Sequence, residues 1–60
     1  MIKVKFHQGL REAELKLPAV PRVGETVWAP NSISGRVASV TWSLPDPEDL
    51  EDPYVQILVE

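Results

Sequence analysis

The densest group of residues that could do chemistry in this 60-residue chain is PDPEDLEDP, residues 45–53, which sets Asp46, Glu48, Asp49, Glu51 and Asp52 close together. Hard cations bind to oxygen ligands, so such a run first suggests a calcium or magnesium loop. An EF-hand loop needs ligands at alternating positions, a glycine at its sixth and a glutamate at its twelfth. No glycine follows Gly35, and Pro47 and Pro53 stiffen the backbone that would have to wrap the ion. The same residues match a helix start: Asp46 at the N-cap, Pro47 at the first helical position, and carboxylates facing the positive end of the helix dipole. Because Pro53 stops it, the segment is expected to be one 3₁₀ or α turn, a connector with Leu50 anchored in the core. An acidic contact for a basic partner is its third possible role.

Nucleophilic catalysis would draw on Ser32, Ser34, Ser39 or Ser43, with His7, the single histidine, as base. Nothing in the sequence marks a serine as its partner, and His7 falls on the polar face of an alternating segment, where a solvated imidazole is expected. Acid and base work by paired carboxylates needs one of them buried, whereas these crowd a connector. Gly9, Gly24 and Gly35 are isolated, so there is no glycine-rich phosphate loop. No catalytic residue, metal ligand or cofactor is assigned.

The aromatic residues are the better candidates. Trp28, Trp42 and Tyr54 belong to three different extended segments, which a barrel can bring to one surface, and such clusters bind peptides or stack on planar ligands. Gln56 and Leu58 join them as candidate partner- or ligand-binding residues on the last segment. The competing use for a Trp is filling the core, since the chain has one Phe and one Met.

The elements that must carry these residues are short. Ile2, Val4 and Phe6 alternate with Lys3, Lys5 and His7, the period of a half-buried strand. Ala13, Leu15 and Leu17 alternate with Glu12, Glu14 and Lys16, and Gln8-Gly9 supplies a turn, so the two runs read as a hairpin. Residues 10–17 also contain good helix formers with Leu10, Ala13 and Leu17 at helical spacing, but eight residues stopped by Pro18 make a marginal helix. PAVPRVGE is an extended loop leading to a strand at Thr26-Val27-Trp28, which Pro30-Asn31-Ser32 ends. In RVASVTW, Val37 and Val40 differ in parity, which predicts a bulge near Ala38-Ser39 or two covered faces. Val55, Ile57 and Val59 form one face of the last strand and Tyr54, Gln56 and Leu58 the other. A strand apolar on both sides is central or lies at an interface. Five short strands and a long second loop predict an all-β fold over residues 1–60: a small five-stranded SH3-like barrel with one short helical turn before the last strand, with a small open sheet as the alternative.

A chain this short buries only about 60% of its unfolded surface, and with no cysteine it has neither disulfides nor a thiolate zinc site to add stability. Self-association is the remaining way to add buried area. Apolar residues at 43% and charged residues at 25% are those of a folded domain rather than a disordered chain. With neither a secretory leader nor an apolar run long enough to span a bilayer, the expected location is cytoplasmic, away from membranes. Charge is uneven: residues 1–36 hold six bases and three acids, net +3, and residues 37–60 hold six acids and no base, net −6. The acidic half argues against a dedicated nucleic-acid binder, whose phosphate contacts favour a basic face; Lys3, Lys5, Lys16 and Arg36 would serve a weak one.

The succession VPRVGETV, SGRV, VTW and YVQILVE resembles short SH3-like barrel proteins encoded by phages and mobile elements. Most such proteins have no known function, so the expected role rests on the residues: the two-sided last strand, the three aromatics and the lack of a catalytic set suggest a non-enzymatic accessory module that binds a host protein, and the last strand suggests a homo-oligomer. A narrower similarity is to the type II dihydrofolate reductases, SH3-like barrels that assemble around a pore binding NADPH and dihydrofolate. Val55-Gln56-Ile57 matches part of that family's Val-Gln-Ile-Tyr pore strand, and Gly24-Glu25-Thr26-Val27 its Gly-Asp-x-Val turn. Leu58 stands in place of the Tyr, Tyr54 in place of a Ser, and Ala29-Pro30-Asn31 in place of paired lysines. The resemblance therefore implies at most a homo-oligomeric barrel binding a small ligand or nucleotide, with Tyr54 and Gln56 on the wall.

Overall fold

The computed structural model describes residues 1–48 and 50–60. Five strands follow in chain order: β1 (Ile2–Gln8), β2 (Arg11–Leu17), β3 (Thr26–Ala29), β4 (Ile33–Ser43) and β5 (Tyr54–Val59). They form one sheet in the order β2-β1-β5-β4-β3 that bends into a nearly closed barrel. Residues 11–17 are strand: the period-two alternation prevails over helix propensity because it lays Ala13, Leu15 and Leu17 on the face that packs on the core while the backbone pairs with β1. The β1–β2 hairpin pairs Gln8 with Arg11 across the two-residue loop Gly9-Leu10. β5 is central, antiparallel to β4 and parallel to β1, so the barrel is not uniformly antiparallel.

The eleven-residue β4 serves both halves, pairing with β3 through Ile33–Arg36 and with β5 through Val37–Ser43. Its register shifts between Val37 and Ser39, so of the two outcomes that the parity of Val37 and Val40 allows the bulge is the one found. The bend lets one strand keep Ile33 and Val37 buried before the bulge and Val40 packed against the core after it. Gly35 adopts φ +142°, and a Cβ there would overlap the Glu60 carbonyl, so the bent strand needs glycine at this crossing. Arg22–Glu25 forms the turn into β3: the Glu25 N–H donates to the Arg22 carbonyl at 3.1 Å, and Gly24 at φ +93° supplies the conformation of a type II turn.

The core consists of Val4, Phe6, Ala13, Ala29, Ile33, Val37, Val55, Ile57 and Val59, with Ile2, Leu15, Leu17, Val20, Val27 and Val40 packed against it. No polar or charged residue is buried among the described residues. Neither Trp is in this core, which β-branched residues and Phe6 fill.

The short helical turn expected before β5 is not found among the described residues. Pro47 and Glu48 make a turn and residues 50–53 have no regular structure, while Asp49 lies outside the described residues. Leu50, expected to anchor this segment, is fully exposed. The physical reason is twofold: a segment bounded by Pro47 and Pro53 is too short to nucleate a helix, and the carboxylates at helical spacing repel one another with no apolar contact to offset them. No helix among the described residues is long and apolar enough to cross a membrane.

Candidate functional site

The register decides which side chains share a surface. With Val4, Phe6, Val55 and Ile57 turned inward, the outer face presents Glu12, Glu14 and Lys16 of β2, Lys3, Lys5 and His7 of β1, Tyr54, Gln56 and Leu58 of β5, and Ser39, Thr41 and Ser43 of β4. Lys5 stands at the middle, opposite Glu14 on one side and Gln56 on the other. Its ammonium lies 4.3 Å from the centroid of the Tyr54 ring, a cation–π contact. An open groove of about 480 Å³ runs here, lined by Lys5, His7, Glu12, Ala13, Glu14, Tyr54 and Gln56. Its chemistry is mixed: carboxylates on the β2 side, a cation between, and a phenol and an amide on the β5 side.

His7 Nδ1 lies 3.6 Å from Glu12 Oε1, while its Nε2 is buried without a hydrogen-bond partner among the described residues. An imidazole beside a carboxylate is two parts of a nucleophilic set, but neither serine of β4 on this face completes it. Ser39 is paired with Leu58, and Leu58 with His7, which puts the serine two strand spacings, about 10 Å, from the imidazole. Ser43 Oγ instead accepts a hydrogen bond from Gln56 Nε2 at 3.2 Å. That bond fixes the Gln56 amide toward β4. Among the described residues, no group of His, Asp and Glu is arranged to hold a metal ion.

The structure separates the three aromatic residues. Trp28 is paired with Ser34 on the outer side of the β3–β4 hairpin and is 91% exposed. Trp42 is paired with Val55, which puts it on the inward side of β4 beyond the core, and it remains 52% exposed. It lines an open, largely apolar hollow of about 520 Å³ with Ile2, Val20, Pro21, Val23 and Val40, with Arg22 also on its wall. Tyr54 faces the groove on the opposite side of the sheet, next to Gln56 and in line with half-exposed Leu58. Sequence reasoning missed Lys5, His7, Glu12 and Glu14 as members of one groove with Tyr54. The signal was there in the alternation of the two N-terminal runs, but the parallel placement of β5 beside β1, which joins them to Tyr54, leaves no local mark. No protein-family model, curated protein or solved structure matches this chain.

Proposed function

We propose that this barrel is a non-enzymatic protein-binding module of the SH3-like kind, an accessory protein of a phage or mobile element that acts on a host protein. One observation carries the reading: the two largest side chains, Trp28 and Trp42, are 91% and 52% exposed in a chain short of buried area. A small domain that builds its core without its tryptophans leaves them for contact with something else, and tryptophan is the residue most enriched in the energetic centres of interfaces. The open hollow beside Trp42 is the socket for an apolar side chain of that partner. The five short strands, the long loop after β2 and the Gly24-Glu25-Thr26-Val27 turn support the SH3-like kinship; the parallel β1–β5 pair is where this barrel differs from a wholly antiparallel one.

The test is capture of host proteins from a bacterial lysate with the wild-type chain and with Trp28→Ala and Trp42→Ala. A protein retained by the wild type and lost by either variant, with both variants folded, supports the reading. Equal capture by all three chains, or none by any, overturns it.

A second reading rests on Tyr54 and Gln56, which face one groove together with Lys5. A homo-oligomer could enclose that groove as a pocket for an anionic small ligand such as a nucleotide. Titration with NADPH that produces neither heat nor a thermal shift removes it.

A further inference from the structure

β2 is an edge strand, and among the described residues its outer backbone is covered at Glu12, near its start. There Asn31 Nδ2 donates to the Glu12 carbonyl at 2.6 Å, and Arg11 Nη1 donates to the Ser32 carbonyl at 3.1 Å. The capped carbonyl fixes the phase of the ladder: the polar backbone groups of Glu12 face away from β1, and by the period of two so do those of Glu14 and Lys16. Among the described residues no strand pairs with that edge. The side chains add a second observation. Lys16 lies directly opposite Lys3 in the β1–β2 register, a like-charge pair that costs stability. Asp52 lines the cavity at that end, yet neither lysine forms an ion pair among the described residues.

We propose that β2 pairs antiparallel with β2 of a second copy about a twofold axis at Leu15, joining two barrels through one continuous sheet. An axis on a residue is required, because an axis between residues would set outward-facing backbone against inward-facing backbone. The charges then choose the residue. An axis at Glu14 puts Glu14 against itself, one at Ala13 puts Glu12 against Glu14, and one at Lys16 puts Lys16 against itself. At Leu15, Glu14 meets the partner subunit's Lys16 and Lys16 meets the partner subunit's Glu14, both as hydrogen-bonded pairs on the outer face. Ala13 meets the partner subunit's Leu17 on the apolar side. The same register sets Glu12, whose carbonyl is already occupied, against the partner subunit's Pro18, which has no N–H, so the ladder ends where neither chain can extend it. β3, the other edge, offers four residues and stops at Pro30. The pairing does not depend on the host-binding reading.

Sedimentation equilibrium over a wide concentration range tests it, with Glu14→Lys, Lys16→Glu and the double exchange. The wild type dimerises. Each single change replaces two attractive cross-strand pairs with two repulsive ones and weakens the dimer about tenfold or more, and the double exchange restores it. A wild type that stays monomeric, a dimer indifferent to the single changes, or a double exchange no better than the singles overturns the proposal. Amide exchange on the unaltered chain gives an answer even where a variant does not fold: the Glu14 and Lys16 amides slow as concentration rises. If they exchange at open-edge rates while dimer is present, the pairing lies elsewhere.

Discussion

The side-chain amide of Gln8 and the backbone of Ser34 exchange two hydrogen bonds: Gln8 Nε2 donates to the Ser34 carbonyl at 2.7 Å, and the Ser34 N–H donates to Gln8 Oε1 at 3.3 Å. Nε2 also donates to the Glu60 carbonyl at 3.1 Å. Two strands that do not pair in the ladder, β1 and β4, are thus joined by a side chain that imitates a rung. Together with Asn31 on Glu12 it draws the β3–β4 hairpin toward the β1–β2 hairpin and nearly closes the barrel. Gln8→Ala is expected to lower unfolding stability by about 1–2 kcal/mol, read by urea denaturation. Gln8→Glu should lose as much, because a carboxylate cannot donate to the two carbonyls. An unchanged midpoint for both would show that the closure rests on packing alone.

Gly35 sits where β4 passes the end of β5, and both its φ of +142° and the Glu60 carbonyl exclude a side chain. Glu60 cannot drift freely aside, since its N–H donates to the Arg36 carbonyl at 2.9 Å. Gly35→Ala is therefore expected to cost about 2–4 kcal/mol through backbone strain and overlap together. Thermal unfolding by circular dichroism measures it; a loss below about 0.5 kcal/mol would mean that the strand relaxes without penalty.

Much of this architecture is legible in the residues. Alternation marks the first strand and favours a strand over a helix for the second, the opposite parity of Val37 and Val40 leaves a bulge or two covered faces, of which the bulge is found, and a last strand apolar on both sides leaves a central place or an interface, of which β5 takes the central place. What fails is local composition without a tertiary partner. Asp46-Pro47-Glu48 has the residues of a helix start, but a helix so short forms only if packing supports it, and Leu50 is fully exposed. The candidate surface was legible only residue by residue. Tyr54 and Gln56 were identified, but their neighbours Lys5 and Glu14 join them through a parallel pairing between strands more than forty residues apart, which no local pattern encodes.

The exposure of Trp28 and Leu50 makes a stability prediction separate from binding. Trp28→Ala and Leu50→Ser should each leave unfolding stability within about 0.5 kcal/mol of the wild type, since neither side chain is taken out of water. Trp42→Ala should cost more, about 1–2 kcal/mol, because about half of that side chain is out of water on the inward side of β4. Urea unfolding of the three variants ranks them. A large loss at Trp28 would mean that the side chain packs inward in solution and is structural.

Lys16 and Lys3 face each other across the hairpin, so removing the Lys16 charge should stabilise the isolated chain rather than harm it. Lys16→Glu converts a repulsive cross-strand pair into an attractive one, with a gain of a few tenths to about 1 kcal/mol in unfolding stability at low salt, shrinking as salt screens the pair. The measurement belongs at dilutions where the chain is monomeric, because the β2 pairing predicts the opposite sign for association. The same substitution that strengthens the fold sets its new carboxylate against the partner subunit's Glu14 and weakens the dimer. A purely structural role for Lys16 would move both quantities in one direction. Opposite movements of thermal midpoint and dimer affinity in one variant are therefore the signature of a charge placed for a neighbouring molecule at a cost to its own sheet.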